Sequence, residues 1–91
     1  MKAVHVIIHG RVQGVGYRAW IEAEATALGL DGWVRNRRVG TVEALFAGDD
    51  ARIAAMLALC RSGPPMARVE GIDEENWAKP VEPGFTVLPT V

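Results

Sequence analysis

The sequence predicts an α+β sandwich of βαββαβ order: an antiparallel sheet, two helices on one of its faces, and a short extra C-terminal strand. Three observations carry this. Apolar runs of strand length occupy 3–9, 31–47, 66–73 and 84–88. Two stretches with apolar residues at helical spacing lie among them, over 18–28 and from Asp49 to Ser62. Gly or Pro marks most of the boundaries. At 91 residues there is room for one domain, 1–91, with a modest core, and a hydrophobic content of 49% suits a globular chain.

The elements follow in order. In AVHVIIH (3–9), Val4, Val6 and Ile8 fall on one face and His5, Ile7 and His9 on the other, as in a central strand. The glycine-rich GRVQGVGYR (10–18) follows it. Over 18–28, Ile21, Ala25 and Leu28 form a helical stripe, with Glu22 and Glu24 near the helix start and Gly29 as the stop. Residues 31–47 read as two strands, Val34 and Asn36 sharing a face of the first and Val42, Ala44 and Phe46 a face of the second. Their turn runs through Arg37, Arg38, Val39 and Gly40, with positive φ expected at Gly40. An Asp after Gly48 caps the second helix, whose stripe is Ile53, Met56, Leu57 and Cys60 and which Ser62-Gly63-Pro64-Pro65 ends. A strand carrying Ala67 and Val69, an acidic loop and GFTVL (84–88) complete the chain. This order is the split βαβ, ferredoxin-like pattern, which hosts many unrelated functions.

Composition narrows the function classes. A net charge of −1 argues against general nucleic-acid binding, which wants a basic excess. The lone Cys60 makes no internal disulfide. MKAVHVIIHG is too short in its apolar run and too interrupted by His5 and His9 for a signal peptide, and no stretch has the length to span a bilayer. A cytoplasmic monomer with no membrane and no nucleic-acid partner is expected.

The loop carries the chemistry. Glycines permit the positive φ angles that turn successive N–H groups toward one point, and such a concavity binds an anion. A helix N-terminus just beyond it adds free N–H groups and a positive dipole end. Arg18 stands where a guanidinium offers a bidentate fork to two oxygens. Taken alone, such a loop is more often a plain turn. It lacks the Gly-Lys-Ser/Thr ending of a Walker A loop and the spacing of a dinucleotide fingerprint. Asn36 changes the balance. It shares a face with Val34, so its amide must find partners in the core or orient a water or substrate oxygen at the strand end.

Other candidates are weaker. His5 and His9 lie ~13 Å apart along a strand, too far for one metal, and are expected to face outward. Cys60 sits on a core stripe and reads as an inert buried thiol. Trp33 is expected on the open side of the sheet. An RNA-recognition surface needs paired aromatics on the central strands, where this chain has His5, Ile7 and His9 beside Glu43, Leu45 and Ala47.

On these residues the chain resembles the acylphosphatases. GRVQGVGYR (10–18) is similar to the first signature of that family. GWVRNRRVGTVEALFAG (32–48) is similar to the second, with Gly32, Trp33, Val34, Asn36, Gly40, Val42 and Gly48 filling its fixed positions. Tyr17 stands where the family more commonly has Phe. Weaker similarity runs from Val4 to Phe85. The resemblance implies hydrolysis of the carboxyl–phosphate bond of small-molecule acyl phosphates, with no metal and no cofactor. It implies that Arg18 binds phosphate, that Asn36 orients the attacking water, and that the backbone of Gln13, Gly14, Val15, Gly16 and Tyr17 forms the phosphate cradle. The chemistry is coherent: a carboxylate is a good leaving group, so positioning and charge stabilisation suffice without a side-chain acid. The rival reading is a non-catalytic phosphate-ligand binding module, or a domain of the kind found in larger hydrogenase-maturation proteins. A chain with nothing attached and a water-positioning amide favours a free-standing enzyme.

Overall fold

The computed structural model describes residues 2–91. Its elements run β1 (Lys2–Arg11), α1 (Tyr17–Ala27), β2 (Asp31–Asn36), β3 (Val42–Gly48), α2 (Asp50–Ser62), β4 (Arg68–Asn76) and β5 (Phe85–Val87). The sheet order is β4-β1-β3-β2-β5. The first four strands pair antiparallel, whereas β5 adds to β2 in parallel, so the sheet is mixed rather than wholly antiparallel. The expected ferredoxin-like sandwich is therefore present, with its extra strand reversed in sense.

Val4, Val6 and Ile8 of β1, Val34 of β2, and Val42, Ala44 and Phe46 of β3 turn one face to the helices, where Ile21, Ala25, Ile53, Met56 and Cys60 meet them in one buried cluster. The α2 stripe is buried as its spacing predicts, and the Asp49 carboxylate caps that helix by accepting from Arg52 N at 2.8 Å. Tyr17 adds a residue to the core that the α1 stripe did not include. Its ring is buried and its hydroxyl donates to Cys60 O at 2.7 Å, which ties the first turn of α1 to the last turn of α2.

Two expectations need correction. The acidic residues Glu74 and Glu75 belong to β4, which runs on to Asn76, not to a loop that follows Asp73. They form an edge strand, where both faces tolerate polar side chains. The sheet face away from the helices is not open either. Every residue of β3 is buried, and the 77–84 segment runs over this face, where Trp77, Pro80, Val81 and Pro83 line one cavity of about 400 Å³ together with Trp33 and Leu45. His5 is accordingly half-buried rather than outward-facing, stacked on Trp77 with ring centroids 5.4 Å apart.

The route from β1 into the loop is set by a bulge. Register against β4 shifts between His9 and Gly10, and a Cβ at Gly10 would lie 2.1 Å from Arg68 O. Only glycine fits so close to the neighbouring strand at φ 123°, and the kink sends the chain over the edge of the core toward α1.

Candidate active site

The loop between β1 and α1 has the backbone form an anion site requires. Gly14 has φ 73° and Gly16 φ 77°, with Val15 between them at negative φ. That alternation turns consecutive N–H groups toward one side. Gly16 is also the N-cap of α1, and no side chain caps that end. The first intrahelical bond is Trp20 N to Gly16 O, so the helix presents its leading N–H groups and dipole to the loop. A Cβ at Gly14 or Gly16 would meet nothing within 4 Å, so these glycines border open space rather than packed protein.

That space is a cleft of about 340 Å³ lined by Val12, Gln13, Gly14, Gly16, Tyr17, Arg18, Ala19, Glu22, Asn36 and Val87. The fold thus brings Arg18 and Asn36 to the same cleft as the loop, from sequence positions in different elements. Val15 is the one expected cradle residue whose side chain does not line it. It packs on the core instead, which is compatible with a role for its main chain.

Thr41 Oγ1, Trp77 Nε1 and Asn36 Oδ1 are the buried polar atoms left incomplete among the described residues, and of the three residues only Asn36 lines the cleft. Its Oδ1 is buried and has no hydrogen-bond partner. An orphaned buried carbonyl costs about 1–3 kcal/mol, so its persistence points to a ligand or water that completes it. Its main chain is held firmly. Asn36 opposes Val42 on β3, and its carbonyl accepts from Val91 N at 3.1 Å. The hairpin beyond it turns through Gly40 at φ 104°.

Gln13 does more than the sequence showed. Its side-chain Nε2 donates to Arg37 O at 2.7 Å and to Thr41 O at 2.8 Å, joining the loop to the β2–β3 hairpin. No periodicity or motif reveals such a bond, because it depends on two segments that only the fold brings together.

Glu22 is the one carboxylate among the residues that line the cleft; the ion pairs, with Glu43 and Cys60, lie elsewhere. Glu43 is 6% exposed, on the far face of β3. It receives Arg35 Nε at 2.7 Å and Arg37 Nη1 at 3.0 Å, and His5 Nε2 stands 2.6 Å from its other oxygen. Burial pushes its carboxyl up, but the hydrogen bonds from Arg35, His5 and Arg37 outweigh that and bring it from 4.5 down to about 2. Burial pushes the Cys60 thiol up to about 12, which keeps it a thiol and a poor nucleophile. His9 pairs with Asp73 at the exposed edge, 2.8 Å apart. Among the described residues no helix is long and apolar enough to cross a membrane.

Comparison with known proteins accords with this geometry. The acylphosphatase family model matches residues 4–87. The acylphosphatase of Bradyrhizobium diazoefficiens is 59% identical over 95 residues, covering 97% of this chain and 95% of that protein. The crystal structure of an acylphosphatase from Bacillus subtilis superposes with a TM-score of 0.92 at 31% identity, over 97% of this chain and 99% of that one. HypF of T. kodakarensis contains a similar fold, with a TM-score of 0.85 and 27% identity, over all of this chain but 12% of that protein. A match across nearly the whole chain, by sequence and by structure alike, means that this chain belongs to the acylphosphatase family and is an acyl-phosphate hydrolase.

Proposed function

We propose that the cleft between the β1–α1 loop and Asn36 is the catalytic site. In this reading the main-chain N–H groups of Gln13, Gly14, Val15, Gly16 and Tyr17 and the guanidinium of Arg18 hold the phosphate oxygens. The Asn36 Oδ1 accepts a hydrogen bond from the attacking water. The water oxygen bonds to phosphorus as the bond from phosphorus to the carboxylate oxygen breaks. The carboxylate departs with the electron pair, and a phosphate oxygen takes the water's proton. The cradle and Arg18 stabilise charge on the equatorial oxygens, and positioning supplies the rest of the acceleration.

The observation that carries this reading is the buried, unpartnered Oδ1 of Asn36, a residue that lines one cleft together with a positive-φ glycine loop and Arg18. A pure phosphate binder has no use for such an acceptor, which would repel the anion. A cleft that touches only the phosphate selects weakly on the acyl side, so several small acyl phosphates should be turned over. We place the enzyme in the cytoplasm as a monomer, where a buried reduced Cys60 is at home.

The test is hydrolysis of an aryl acyl phosphate with a chelator present. The wild type is expected to turn over without metal. Asn36→Ala is expected to lose roughly 10²-fold or more in kcat while inorganic phosphate still inhibits it. Turnover unchanged in Asn36→Ala would remove the water-positioning role. Phosphate binding with no wild-type turnover would favour a binding module.

A further inference from the structure

Gln13 sits in the glycine loop, yet both protons of its side-chain amide go to the neighbouring hairpin, at Arg37 O and Thr41 O. Those two carbonyls are already served by main-chain donors. Arg37 N donates to Thr41 O, and Gly40 N donates to Arg37 O, each at 2.9 Å. A carbonyl oxygen has two lone pairs, and Gln13 takes the second on each. The hairpin therefore closes without Gln13. What the amide adds is a bridge between segments 24 and 28 residues apart in the chain. One end is the proposed phosphate cradle. The other is the residue directly after Asn36. Past that point the hairpin tip of Arg38, Val39 and Gly40 is exposed. Arg38 N ties it to Val91 O of the C-terminal tail at 2.7 Å, and among the described residues only the Gln13 amide hydrogen-bonds the hairpin to the glycine loop.

We propose that Gln13 is a positioning residue. Its side chain sets the Asn36 amide relative to the phosphate cradle, and so the water relative to phosphorus. This rests on the assignment of Asn36 as the group that orients the water. Misplacement of a reacting group by ~1 Å costs up to about 10²-fold, so a clamp that holds two walls of a site in register acts on kcat rather than on phosphate affinity.

The experiment measures kcat and KM for an aryl acyl phosphate, inhibition by inorganic phosphate, and the urea midpoint. It compares Gln13→Met and Gln13→Glu, each alone and with Asn36→Ala. Met keeps the length without donors. Glu keeps the shape but turns an oxygen toward two carbonyls. We expect kcat to fall about tenfold in Gln13→Met and further in Gln13→Glu, with phosphate inhibition within about twofold of wild type. In the Asn36→Ala background the kcat loss should vanish, because the positioned group is gone. Should Gln13→Met not fold, Gln13→Asn, one methylene too short to span both carbonyls, decides on the same readouts. A folded variant with wild-type kcat, a loss that adds fully to that of Asn36→Ala, or a parallel loss of phosphate inhibition would each overturn the proposal. Wild-type turnover in Asn36→Ala alone would instead overturn the parent reading.

Discussion

The two faces of the sheet each bury a polar side-chain group on the β2–β3 pair, the Glu43 carboxylate on one and the Asn36 Oδ1 on the other, and they treat it in opposite ways. On the face away from the helices, Glu43 has a partner for each oxygen in Arg35, Arg37 and His5. On the helix face, Asn36, paired one register step away with Val42, keeps its Oδ1 unpaired beside a cleft. A buried group that is fully partnered stabilises the fold and is closed to chemistry. A buried group left short of a partner costs stability and holds its capacity for a ligand. The contrast separates scaffold from site within one hairpin.

The largest expected effect comes from the polar clamp on the site side. Arg18→Ala should lower kcat/KM by roughly 10³-fold and abolish phosphate inhibition, because in the proposed site it removes the charge-assisted partner of the phosphate oxygens. Its urea midpoint should stay near wild type, since Arg18 makes no ion pair among the described residues; a collapse in stability would erase the distinction between the faces. Asn36→Ala comes next, on kcat alone. On the scaffold side the sign reverses. Glu43→Gln should cost ~2–3 kcal/mol by urea denaturation while phosphate inhibition is unchanged, since the variant strands two guanidinium groups.

The pH dependence sharpens this. The Glu43 carboxyl drops from 4.5 to about 2 on folding, so its stabilisation is complete above 4.5 and is lost as pH falls toward 2. Wild type should lose more stability than Glu43→Gln across that range, and parallel curves would mean that the ion-pair network contributes nothing. The smallest effect belongs to Tyr17→Phe. It removes one buried hydrogen bond to Cys60 O and should cost about 1 kcal/mol with little change in kcat, measured by the same denaturation.

Much of this was legible in the chain. Spacing located both helices and the faces of β1 and β3, because one side of each element is uniformly apolar and periodicity reads that directly. Asn36 stood out for the same reason, as an amide on an apolar face. The end of β4 beyond Asp73 did not read as strand, since Glu74 and Glu75 sit at an edge where no burial enforces alternation. The cover over the Leu45 face of the sheet was invisible because it is built from Trp77 and three residues of an irregular segment, Pro80, Val81 and Pro83, with no period of their own. Gln13 and Glu43 were hidden more deeply, because their partners are set by register between strands and loops, which composition does not encode.

The glycine loop has one more consequence, for how the enzyme can change over generations. In the proposed site the donors that meet the phosphate are mostly amide hydrogens, which nearly every amino acid carries. A codon change at Val15 or Tyr17 alters packing but leaves its donor in place, and only proline deletes one. The heritable targets that can silence the chemistry at a stroke are few: Arg18, Asn36, and the positive-φ positions Gly14 and Gly16. Drift can therefore rework most of this small chain without touching the recognition of its substrate's phosphate.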